Sequence, residues 1–475
     1  MQISITHLLC LSTLLFPMAC PGSSDEDQTQ STLLPSLQSD GMRLLNQDGQ
    51  EVVLRGINAR INGLFDVTFD DGRIPLETIP EFGEEDYLVL KNELGFNALR
   101  IPINWSGLEP LEGGILDDDY LSVLDSHLAL CEKHQLWCVV DVHQDAYSKE
   151  IGEDGAPLWA ILPPPTELLE GPLDNLYERR GSEQVLAAFK TFFDGTDGIQ
   201  DAYISMLTRL ASHLKDRPYV AGIEIFNEPV ADTLEVLQFS AKAIDAIREI
   251  DENQLVLFEP TSTRNLFDET DPLDGLNLPN TAYAPHLYPE VFSGEGNSFV
   301  NGNPERLISS TAKAKDEAEV HQAPLIVTEY GIDPAAANAE LWIKTMDDEM
   351  DKALSSRFYW VYEEHEQDKW GLYDDGKVLR EHVANWLARP YPDAISGVLQ
   401  SFRYNEVEQS FEVQFTGGGT HHLALPYRTM GQSPIGYCDG EAITLQGDGP
   451  VYSMTCGEAS SQNEHALRIE SGNSI

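Results

Sequence analysis

Glu228 ends the apolar run "GIEIFNE" (222–228), and Glu329 ends a second one within "PLIVTEYG" (324–331). A lone glutamate at such a place caps a helix or meets solvent, as most glutamates do. Two of them aimed into one cavity from different strands have a specific use. One carboxylic acid protonates a leaving oxygen while the other carboxylate attacks or activates water, which is what glycoside hydrolysis requires. Other runs end in residues with matching tasks: Arg100, His143, Asn227, His286, Tyr288 and Trp360. Arg100 and Tyr288 can hold Glu329 ionised, because opposite charge and hydrogen bonding lower a carboxyl pKa. Asn227 suits a sugar 2-hydroxyl, and Trp360 offers a flat apolar face to a pyranose ring. Singly, His143 reads as a core histidine and Trp360 as a core aromatic; the whole set at strand ends does not. The acidic "EEHEQD" (363–368) has metal-ligand residue types, but this chemistry needs no ion. It is expected to be a charged rim loop, and neither metal nor cofactor is expected.

Such residues must be delivered by a scaffold that brings many strand ends to one place. Short β-rich runs occur at 52–58, 97–103, 137–143, 222–228, 254–260, 281–288, 324–331 and 357–364. Amphipathic helical stretches lie between them, such as 117–134 and 234–250. That alternation implies parallel strands with crossover helices, and eight units imply a closed (β/α)8 TIM barrel whose strand ends share one pocket. A doubly wound sheet would want a glycine-rich loop after the first strand, and none follows it. After "ARPYPDAISG" (388–397) the runs become short and alternating, with Gly and Pro punctuation. This predicts a small C-terminal antiparallel β-sandwich. The proline-rich 161–181 is too long for a plain connection and is expected at the barrel mouth. Leu158, Trp159, Ile161, Leu162 and Leu168, in this segment and just before it, are expected to offer apolar surface to an aglycone, or else to pack on the rim.

The chain has 475 residues with 79 acidic and 30 basic side chains, a net charge of -49. A surface of that sign repels phosphate backbones, so nucleic acid is excluded as a partner. The acidic residues are spread along the chain, which favours adaptation to high salt over mere solubility. The apolar stretch 3–20, followed by the polar 21–32, reads as an export signal. Ala19 before Cys20 is of lipoprotein type, although the region lacks a basic start and carries Pro17. The expected location is therefore a bacterial cell-surface or periplasmic lipoprotein held to the membrane through Cys20, with free secretion as the alternative. Export permits disulfides, and Cys438 with Cys456 is the preferred pair, Cys131 with Cys138 the other. The expected organisation is 1–20 signal, 21–38 tether, 39–388 barrel and 389–475 sandwich, as a monomer.

The motifs "LRIPINW", "IEIFNEP", "HLY" and "VTEYG" resemble the clan of retaining β-glycosidases that includes family 5 cellulases. More narrowly, "DVHQDAYSKEIGEDGAPLWA" (141–160), "FFDGTDGIQDAY" (192–203) and "RPYP" (389–392) are similar to endoglycoceramidases, a likeness covering roughly residues 40–460. The resemblance implies Glu228 as acid/base, Glu329 as nucleophile, and Gln144 and Asp145 as further sugar contacts. Relatives can present a lysine after the first strand, where this chain has only Arg60. The implied substrate is a glycolipid; a β-glucan or steryl glucoside is the alternative. A surface carbohydrate-binding protein with a dead barrel is a third reading, and the presence of both glutamates argues against it.

Overall fold

Runs such as Ala98–Asn104 and Trp137–His143 are buried along their whole length, as happens when both faces of a sheet are covered. The computed structural model describes residues 34–269, 275–293, 299–365, 369–447, 449–458 and 462–472. The export signal, Cys10, Cys20 and the tether through residue 33 lie outside the described residues, as do 366–368 of the acidic loop.

The barrel strands are β1 (Arg55–Asn58), β2 (Ala98–Asn104), β3 (Trp137–His143), β4 (Val220–Glu224) and β5 (Val256–Phe258). They continue as β6 in two pieces (Thr281–Tyr283 and His286–Leu287), β7 (Ile326–Tyr330) and β8 (Ser356–Tyr359). All neighbours pair in parallel, and β8 returns to β1. The first piece of β6 pairs with β5 and the second with β7, and Tyr283 bridges to Leu325 to complete the ring. Helices Asp118–His134, Ile199–Leu214, Thr233–Arg248, Glu305–His321 and Ala339–Lys352 cross between successive strands. The expected (β/α)8 barrel is therefore present. Local chemistry starts the helices where they are needed: Asp117 accepts from the Tyr120 amide, and Asp232 with Glu235 forms a capping box.

Strand periodicity sorts the barrel contents. Leu99, Ile101, Val140 and Val142 pack outward in the core shared with the helices, while Ala98, Trp137 and Val139 pack inside. The next inward positions up the ring are Arg100 and Asp141, so charge sits on an apolar plug. A register shift in β7 between Val327 and Tyr330 breaks the alternation. It lets the consecutive Thr328 and Glu329 both serve the interior, a known use of irregular pairing beside active sites.

The C-terminal strands form two antiparallel sheets, and here the expected boundary is corrected. One sheet runs Leu37–Asp40, Arg43–Asn46, Gln50–Val52, Tyr391–Ser396, Gly419–Ala424, Val451–Cys456. Its first three strands come from residues assigned above to the tether and the barrel. The single run expected at 52–58 is thus divided between the two layers. Leu37, Leu44 and Val52 join the cluster inside the barrel, so this sheet covers the end of the barrel opposite the strand tips. The other sheet is built from Val398–Asn405, Ser410–Thr416, Glu464–Glu470, Ile435–Cys438 and Glu441–Ile443. Both expected disulfides are formed. Cys438–Cys456 links the two sheets with Cα atoms 5.7 Å apart, and Cys131–Cys138 ties a helix to β3 at 6.6 Å. Among the described residues no helix is long and apolar enough to cross a membrane.

Candidate active site

Arg100 organises the floor of the barrel mouth. Its guanidinium lies 2.6 Å from Glu224, 2.6 Å from Glu329 and 3.0 Å from Asp141, and it donates to Asn58 at 2.8 Å and Asn227 at 2.9 Å. Burial alone would discharge it; Asp141, Glu224 and Glu329 outweigh that and hold it charged. Glu329 receives a second donor on its other oxygen from the Tyr288 hydroxyl at 2.8 Å. One side chain, charged at every working pH, thus orients the β7 carboxylate and the Asn227 amide together.

Glu228 has a different environment. It is buried, and desolvation pushes its carboxyl up to about 7, with Arg180 the main opposing influence. Oε1 lies 2.9 Å from Nδ1 of His286, whose ring burial pulls down to about 4 and so keeps neutral. Its backbone is left-handed, with φ +41°, a conformation that costs a non-glycine residue about 1–3 kcal/mol. Three contacts hold the bend. Gln144 donates to the carbonyls of Asn227 at 2.7 Å and Glu228 at 3.1 Å, and the Glu228 amide donates to Glu259 at 3.1 Å. A carboxylate oxygen of Glu228 and one of Glu329 lie within 4.8 Å of each other. That proximity fits the ~5–5.5 Å carboxyl separation of retaining glycosidases better than the ~6.5–9.5 Å of inverting ones.

The cavity above them is lined by His143, Asp145, Asn227, Glu228, Tyr288, Glu329 and Trp360 from the expected set. His143 stacks on Trp360 at 5.6 Å and lies 2.6 Å from Asp141; burial pulls the imidazole to about 4 and lifts Asp141 to about 7. The other three expected residues do not line it: Arg100 holds Glu329 as expected, and Gln144 is corrected from a sugar contact. Arg100 and His286 are fully buried beneath the lining, and Gln144 spends its amide on backbone. They position the groups that face the cavity. Arg60 is likewise engaged, paired with Glu77 and Glu364 and stacked on Phe65 at 4.3 Å.

Several lining residues escape a reading of the sequence. Burial would raise the Asp145 carboxyl, but Arg180 in a bidentate pair holds it below the usual carboxylate range. Arg180 comes from the mouth segment, on the short helix Leu176–Arg180. That segment hydrogen-bonds to the loop after β1, where Gly171 and Leu173 amides meet Ile74 and Leu76 carbonyls. Glu153 and Glu364 add carboxyls; Phe65, Leu176, Leu266, Phe292 and Trp370 add apolar surface. None of the five apolar residues expected for this purpose, or else for packing on the rim, lines the cavity. Ile161 is buried, Trp159 and Leu162 pack on the core, and only Leu158 and Leu168 are exposed. For Asp141 and Glu224 a signal exists: each is a charge at an inward position of an otherwise apolar strand. For Arg180 and Trp370 there is none.

Glu224, Glu259 and His286 gather ligand-type atoms, but Arg100 already stands among them as the cation. Cys438, Asp439, Cys456 and His465 also cluster, with both sulfurs engaged in the disulfide. A larger cavity of about 280 Å³ lies between helices Thr233–Arg248 and Glu305–His321, and none of the sequence-predicted residues lines it.

The family model described as cellulase, glycosyl hydrolase family 5, matches residues 45–366. Endoglycoceramidase I of Rhodococcus hoagii is 25% identical over 447 residues, which are 88% of this chain and 84% of that one. The solved structure of endo-glycoceramidase II from Rhodococcus sp. in a ganglioside GM3 complex superposes with a TM-score of 0.77 at 20% identity, covering 91% of this chain and 100% of that one. Cryptococcus neoformans sterylglucosidase 1 superposes at 0.70 with 12% identity, covering 93% and 98%. With the barrel and the paired glutamates, the match over more than half of its length establishes that this chain belongs to glycosyl hydrolase family 5.

Proposed function

We propose that this glycoside hydrolase cleaves the β-linkage between a glycan and the lipid aglycone of glycosphingolipids, with Glu329 as nucleophile and Glu228 as acid/base. The observation that carries the assignment is the unequal treatment of two carboxyls at retaining distance. Glu329 accepts from a guanidinium and a phenol, one on each oxygen, which orient it for attack. Glu228 is desolvated and holds its proton near neutrality. In the first step a Glu329 oxygen bonds to the anomeric carbon, the bond to the aglycone oxygen breaks, and that oxygen takes the Glu228 proton. In the second, water gives a proton to Glu228, its oxygen replaces Glu329 at the same carbon, and configuration is retained. Since the first step needs Glu228 protonated, kcat/KM should fall as pH rises through about 7. A pH–rate profile flat from pH 6 to 9, roughly two units above that value, would remove Glu228 from this role.

The lipid half of the proposal rests on the mixed lining. Asp145, Glu153, Arg180 and Glu364 offer donors and acceptors to sugar hydroxyls. Leu176, Leu266, Phe292 and Trp370 offer an apolar surface. The endoglycoceramidase relatives support a ceramide aglycone. Likeness in fold to a sterylglucosidase supports a second reading, a steryl glucoside, because the same surface accepts any bulky apolar aglycone. Detergent-dispersed glycosphingolipid, steryl glucoside and carboxymethyl cellulose, each assayed by the mass of released sugar, separate these readings. Intact glycan from the sphingolipid is the expected product; turnover of cellulose alone would refute a lipid substrate. Export and attachment through Cys20 would place the enzyme at the bacterial envelope, and their support is the N-terminal sequence alone.

A further inference from the structure

Below Glu228 lies a carboxyl that glycoside hydrolysis does not call for. Glu259, just past β5, is buried, and its Oε2 accepts from the Glu228 amide at 3.1 Å and the Asn265 side chain at 2.8 Å. Its Oε1 has no hydrogen-bond partner, and neither has Nε2 of His286; the two face one another at 3.5 Å. Nδ1 of the same imidazole lies 2.9 Å from Glu228 Oε1 and 3.4 Å from Glu329 Oε2. Buried polar atoms are seldom left unpaired, and this facing pair is a few tenths of an ångström beyond good contact. A proton must lie between them, on one side or the other.

We propose that Glu259 is a positioning residue acting as a neutral carboxylic acid, whose Oε1–H donates to His286 Nε2 and fixes the Nδ1–H tautomer. His286 then donates to Glu228 Oε1, which leaves the catalytic proton on Oε2 for the departing oxygen. The inference rests on Glu228 being the acid/base.

The surrounding charges favour the neutral form. Glu259 faces Arg100 from β2 at 3.9 Å, Asp141 from β3, and Glu224 and Glu228 on and beyond β4. His286 faces Glu228, Glu329, Glu224, Arg100 and His143. Arg100 is already in closer contact with Glu224, Glu329 and Asp141, so little positive charge remains for a fourth carboxylate. Burial and the neighbouring carboxylates accordingly push Glu259 well above the ordinary range. The neutral imidazole has one N–H to place, and its neighbours decide where.

The test compares Glu259→Gln with Glu259→Leu. Glutamine keeps its carbonyl oxygen under the two donors to Oε2 and presents an N–H to Nε2. It should retain glycolipid kcat/KM within about fivefold, with the alkaline limb unmoved. Leucine removes the donor and should cost about tenfold or more on glycolipid, yet little on a dinitrophenyl glycoside, whose leaving group needs no proton. Nitrogen-15 spectra of labelled histidine should show Nδ1–H on His286 in the native chain and in Glu259→Gln. Those spectra decide the matter even if the leucine variant does not fold or glycolipid is not the substrate. An Nε2–H tautomer in the native chain would overturn the inference. So would an alkaline limb lowered by about one pH unit in Glu259→Gln, since it would reveal an ionised Glu259.

Discussion

Glu329→Gln should lose about 10⁴-fold or more in turnover on every substrate, because the amide cannot form the glycosyl-enzyme bond. Glu228→Gln should behave differently. On glycolipid it should lose about 10²–10⁴-fold, the usual contribution of general acid catalysis. On a dinitrophenyl glycoside the first step no longer needs a proton, so the glycosyl-enzyme should form and accumulate. Added azide, a nucleophile that needs no base, should then restore turnover and yield a β-glycosyl azide. The asymmetry follows from the site: Glu329 carries two donors, one of them a guanidinium, whereas Glu228 meets a neutral imidazole and sits desolvated. If Glu329→Gln were the variant rescued by azide, with inverted product, the two roles would have to be exchanged.

Arg100→Leu should be the most damaging single change outside the two glutamates. The guanidinium is fully buried and touches Glu224, Glu329 and Asp141 within 3.0 Å. Removing one member of a buried ion cluster leaves the others uncompensated and typically costs about 3–5 kcal/mol. That is a large fraction of the ~5–15 kcal/mol that keeps most proteins folded. Surviving protein should also be nearly inactive, because Glu329 and Asn227 lose their common donor. Arg100→Lys should restore much of the stability and little of the activity, since one ammonium cannot reproduce a fork that meets Glu224, Glu329 and Asn227 together. Thermal unfolding and active-site titration of the folded fraction read the two effects separately. An Arg100→Leu chain that melts like the native one would show that this charge cluster is dispensable to the fold.

The barrel and both glutamates were legible in the sequence because each is a local pattern. Eight apolar runs that alternate with amphipathic helices permit few other architectures, and a carboxylate at the end of such a run has few places to point. The disulfide pairing followed from few available partners. Three further matters were decided only in three dimensions. Residues Leu37–Val52 look like any short run of strands near the start of a domain, yet these three strands complete a sheet whose other strands begin at Tyr391. Pairing between distant segments has no local signature, and the apolar end of the barrel decides where they dock. Strand ends alone do not distinguish a side chain that meets substrate from one that holds another in place. Arg100 lies within β2, and Gln144 and His286 lie at or just beyond strand ends, but a buried guanidinium ringed by carboxylates and an amide bound to backbone face inward, since their partners do. The apolar lining was the least legible part. Trp159 and Ile161 sit in an apolar stretch before the prolines of the mouth segment and pack on the core, whereas Leu266, Phe292 and Trp370 come from three separate segments that follow different strands. Hydrophobicity along a chain says which side chains avoid water. Only packing says which of them are left to face a ligand.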